Sequence, residues 1–128
     1  MLILIWISSA FGATWTVGPT SAEDYSTIQA AIDGASSGDS IQVAAGTYTE
    51  SLDLLGLDLN ISATSGISST LIAPPSGKTA VQWILSEGGV LDGFTIEPTK
   101  ARAFKIKGGN PTIQNCLVRN AGSSGSGS

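Results

Sequence analysis

The stretch TKARAFKIK holds four of the chain's six basic residues, Lys100, Arg102, Lys105 and Lys107, within eight positions. Phe104 and Ile106 alternate with Lys105 and Lys107. A strand here therefore turns two apolar side chains to one face and two ammonium groups to the other. Lys100 and Arg102 fall in the turn just ahead. Four cations on one patch suit an anionic polysaccharide such as a polyuronate, which they would grip through charge-assisted hydrogen bonds. Lysines on an exposed sheet also have a purely structural use, because they discourage edge pairing and keep a strand in solution. No aromatic residue is plainly outward beside them to stack on sugar rings.

Other groups offer less chemistry. Glu97 and Arg119 are 22 positions apart and read as an exposed ion pair. Asp53, Asp58, Glu87 and Asp92 lack the dense spacing of a calcium loop, so no metal is expected. The chain has no histidine, which removes the commonest general base and transition-metal ligand. Its single cysteine, Cys116, falls in an apolar column and reads as a buried filler rather than a nucleophile. Trp83 reads as core, although a one-residue slip would turn it outward as a sugar platform. No catalytic residue and no cofactor are predicted.

These groups must be held by strands. Leu91, Phe94 and Ile96 match Ile113, Cys116 and Val118 at an offset of 22, and Trp83 and Leu85 match Phe104 and Ile106 at 21. The hinge column holds Gly93 and Asn115, the two residue types that best tolerate left-handed backbone. A strand, a bend and a second strand at this period make the unit of a parallel β-solenoid, whose coils bury their apolar faces by stacking. The runs at 41–54 and 57–72 fit as two earlier, less regular coils. A β-sandwich predicts hairpins and no constant register, and a leucine-rich repeat needs Leu and Asn columns that are absent.

Ahead of the coils, TWTV alternates as a short strand. Ile28, Ala31, Ile32 and Ala35 then form one helical stripe, with Ser26 and Gln29 at capping-box spacing and Gly34 and Gly38 at its end. The fold class read from these patterns is all-β: a parallel β-solenoid of about four coils preceded by one α-helix.

The 128 residues suffice for one domain, and the net charge of −4 argues against nucleic acid as a partner. The charge is uneven. Residues 1–77 carry seven acidic and no basic groups, and residues 78–128 carry six basic and three acidic ones. MLILIWISSAFGA, residues 1–13, reads as a signal peptide cut after Gly12 or Ala13, although no Lys or Arg precedes its apolar run. That run is too short to span a bilayer. The β-helix domain is assigned to 14–120, and 121–128 reads as a flexible Gly/Ser tail.

Beyond these patterns, DYSTIQAAID followed by GDSIQVAAGTYTESLDL resembles the cap and first coil of right-handed parallel β-helix proteins of the pectin lyase-like superfamily. LDGFTIE and GGNPTIQNCLVRNAG resemble the generic coil of its bacterial surface members. The resemblance covers about Thr14 to Asn120 and implies that a helix at 26–36 plugs the open end of the stack. In that family's lyases and esterases, catalytic Asp, Arg, Lys or calcium ligands sit on outward faces of central coils. No position here matches them, so no catalytic role carries over. The expectation is a secreted or cell-surface module, non-catalytic, whose stiff face meets anionic polysaccharide, cell-surface glycan or another surface partner. The competing reading is the N-terminal part of a polysaccharide lyase or carbohydrate esterase whose active coils lie further along.

Overall fold

A computed structural model describes residues 12–84 and 88–119. Residues 1–11 of the signal peptide assigned to 1–13, together with Leu85, Glu87 and the tail, fall outside the described residues. Among the described residues every strand pairing is parallel, and the strands form three sheets. The first sheet runs β1 (Thr14–Val17), β2 (Ser40–Val43), β5 (Asn60–Ala63), β8 (Val90–Asp92) and β11 (Thr112–Gln114). The second holds β3 (Gly46–Tyr48), β6 (Thr70–Ile72), β9 (Thr95–Ile96) and β12 (Leu117–Val118). The third holds β4 (Leu52–Asp53), β7 (Val81–Ile84) and β10 (Phe104–Lys107). Each of three coils gives one strand to each sheet, β2–β3–β4, β5–β6–β7 and β8–β9–β10, and β11–β12 follow in the first and second sheets.

The core is a set of inward ladders. Trp15, Ile41, Ile61, Leu91 and Ile113 stack in register up the first sheet. Tyr48, Ile72, Ile96 and Val118 do so in the second. A single coil leaves its inward side chains open above and below, so neighbours spaced about 4.8 Å apart complete the burial. Between β8 and β9 the chain bends at Gly93, with φ of 89°, and one coil later it bends at Asn115, with φ of 52°. The hinge column is as the sequence predicts. A Cβ at Gly93 would meet ordinary contacts, the nearest being Ala63 O at 3.4 Å, so backbone angle rather than space selects glycine.

The third sheet departs from the expected register. Phe104 pairs with Val81 and Ile106 with Trp83, an offset of 23 rather than 21. A two-residue shift preserves the alternation, so inward and outward assignments survive. Trp83 points inward and is 1% exposed, and its ring still meets that of Phe104 diagonally, at 6.2 Å between centroids.

The helix α1 (Ile28–Gly34) is shorter than the 26–36 expected and buries Ile28, Ala31 and Ile32 over the first coil. Its N-cap is Thr27, whose Oγ1 accepts from Ala30 N at 3.1 Å, and not Ser26. The carboxylate of Glu50, reaching up from the first coil, accepts from Ile28 N and Gln29 N at 2.9 and 2.8 Å. This removes the need for a capping box, and Gln29 is free for another task. Its amide accepts from Asp53 N at 2.8 Å and donates to Asp53 O at 3.1 Å, as a neighbouring strand would. The outer edge of β4 is thereby satisfied.

Candidate functional site

Strand β10 lies at the edge of the third sheet, and its outward residues Lys105 and Lys107 are exposed. Lys105 continues a polar column formed by Asp53 and Gln82 on the coils beneath. Lys100 and Arg102 are exposed on the segment leading into the strand, and Lys100 takes the left-handed conformation, with φ of 56°. Thus all four predicted cations lie on one segment and face solvent. Among the described residues the only ion pair is Glu97–Arg119, so no described carboxylate neutralises these four. Every described aromatic ring is at least partly buried, so the surface offers charge and hydrogen bonding but no stacking platform.

A concave surface elsewhere was not visible in the sequence. The outward column of the second sheet, Thr47, Leu71, Thr95 and Leu117, forms the floor of a groove of about 310 Å³. Ile67, Ser68 and Ser69 form one wall, and Arg119 also lines it. Thr95 Oγ1 donates to Ile67 O at 2.8 Å and ties that wall to the floor. The only cue in the sequence is the Ser-rich interval between β5 and β6, which falls within the run 57–72 read as a coil.

The Glu97–Arg119 pair expected between adjacent coils is present at 2.6 Å. Below it, Asp92 accepts from Asn115 Nδ2 at 2.9 Å and Gln114 Nε2 at 3.1 Å, which ties the hinge of one coil to the strand of the previous one. These two bonds, Asn115 first, hold the Asp92 carboxyl below the usual carboxylate range. Cys116 is half-buried above Phe94, and burial pushes its thiol up, away from the thiolate a nucleophile needs. Among the described residues, no group of three His, Cys, Asp or Glu side chains is placed to hold a metal.

One acidic residue was missed altogether. Asp39 is 7% exposed and accepts from Ala13 N at 2.8 Å, Ser36 N at 2.9 Å and Trp15 Nε1 at 2.9 Å. Burial pushes its carboxyl up, but the Ser36, Trp15 and Ala13 donors prevail and hold it below the ordinary range. Two of those donors lie 24 and 26 residues away, beyond the reach of any local pattern.

Parallel coils in three sheets under a helical cap define a parallel β-helix. No helix among the described residues is long and apolar enough to cross a membrane. Comparison with known proteins narrows the class no further: no family model matches the chain, and no curated protein does.

Proposed function

We propose that this chain is a secreted or cell-surface β-helix module, related to the pectin lyase-like superfamily, that binds an anionic polysaccharide or glycan without acting on it. The observation that carries the reading is the exposed run of Lys100, Arg102, Lys105 and Lys107 along one edge segment, with no described carboxylate paired to it. A polyuronate presents carboxylates at regular intervals along a stiff chain. A strand that displays ammonium groups at every second residue meets such a ligand with several charge-assisted contacts at once. The lack of an outward ring among the described residues favours a charged sugar polymer over a neutral one, because recognition there rests on ion pairing rather than stacking.

Calorimetric titration with polygalacturonate oligomers, with a neutral glucan as control, tests this. The native protein binds the polyanion, weakens as salt rises, and ignores the glucan. Lys105→Ala with Lys107→Ala lowers affinity at least about tenfold, since each charged hydrogen bond contributes about 1.5–3 kcal/mol. Undiminished binding by the double variant excludes the basic segment as the contact.

A further inference from the structure

Asp39 is the only buried carboxylate among the described residues, and its three hydrogen-bond donors are all uncharged. Neutral donors hold this anion in place by hydrogen bonding alone, and a cation brought to one of its oxygens adds a Coulombic attraction that they lack. One of its donors is the nitrogen of the Gly12–Ala13 peptide bond. Gly12 and Ala10 place small residues one and three positions before that bond, as an export cleavage site requires. Cutting one bond later would put Phe11 three positions before the cut. It would also discard Ala13, whose carbonyl accepts from Ser40 N at 2.8 Å and anchors the start of β1 beside β2.

Resting on the export reading above, we infer that an export peptidase hydrolyses the Gly12–Ala13 bond, and that the new α-ammonium of Ala13 becomes the ionic partner of Asp39. Water supplies hydroxyl to the Gly12 carbonyl carbon, which leaves as a carboxylate. The Ala13 nitrogen takes up protons to become an ammonium. That nitrogen already lies 2.8 Å from Asp39 Oδ1, so the ion pair forms where an amide hydrogen bond stood. Ala13 is exposed, and the remaining ammonium hydrogens reach water. Gly12 lies so close to the Gly38 carbonyl that a Cβ there would collide with it. An uncut chain therefore tolerates only glycine at 12, whereas the cut chain no longer contains that position.

The test is export of the full chain from a bacterial host, followed by N-terminal sequencing and intact mass of the product. Native protein and Gly12→Ala both yield one species, Ala13–Ser128, with identical mass and melting temperature. The native α-amine acylates at neutral pH about tenfold or more slowly than that of an unfolded control, since an opposite charge at this distance raises an amine's pKa by about one unit or more. Asp39→Asn removes most of that protection. Cleavage at any other bond, or an ordinary acylation rate in the folded native protein, overturns the inference and leaves the export reading standing. An uncleaved product overturns both. Should Asp39→Asn fail to fold, the native rate and the Gly12→Ala mass still decide.

Discussion

The two ends of the stack obey one sequence pattern and reach opposite outcomes. Under the helix, Ile28, Ala31, Ile32 and Ile41 are fully withdrawn from water. On the last coils, Ile106 and Val118 occupy inward columns yet are 47% and 41% exposed. Alternation fixes where a side chain points, but only a neighbouring layer removes it from solvent. Burial in a solenoid is thus a property of the stack, with each coil contributing to the next. Backbone satisfaction follows the same division. At the capped end Asp24 and Tyr25 accept and donate along β1, and Gln29 does so along β4.

This contrast can be broken most severely at the cap. Ile32→Asp places a charge in a fully buried position and is expected to cost at least about 4 kcal/mol. Thermal melting would show the loss, and light scattering would show association through the uncovered coil. Val118→Asp, on the exposed layer, should cost less than about 1 kcal/mol. Equal effects at the two positions would dissolve the distinction between the ends.

Between them, the hinge column gives an intermediate effect. Gly93→Val forces a β-branched residue to positive φ and should destabilise by about 1–3 kcal/mol. Gly93→Asn should lose well under half of that, because Asn115 already holds the same bend one coil later. Chemical denaturation of both variants separates the effect of backbone angle from that of added volume.

The smallest effect concerns acid. Asp92 has its folded pKa lowered, so its contribution is fully present above the ordinary carboxylate range and is lost as pH falls through the folded value. Melting temperature should therefore decline more steeply below about pH 4 in the native protein than in Asp92→Asn. A variant with an unchanged slope would mean that the Asn115 and Gln114 bonds do not bias this titration.

The architecture was legible because its signal is periodic. Leu91 and Ile113 pair as the 22-residue offset requires, as do Ile96 and Val118. The Gly93 and Asn115 hinges announce themselves by residue type. In the third sheet, similarity of side chains matched Trp83 to Phe104, whereas hydrogen bonding pairs Phe104 with Val81. The two rings attract across a diagonal, so the pattern detected a contact and not a register. The helix cap was misplaced for a related reason. Glu50, distant in the chain, takes over the amides that a local capping box would have served. Of the sites, the basic segment was readable from alternation alone. Asp39 and the groove of the second sheet arise from residues far apart in sequence, which no local pattern brings together.

The side-chain amide of Gln29 has a consequence for how such a rod can lengthen. By occupying both pairing positions of Asp53, it leaves no vacancy for a foreign strand on that side of the third sheet. In that sheet a further strand, whether from this polypeptide or another, finds its pairing edge on β10, so accretion there runs in one direction.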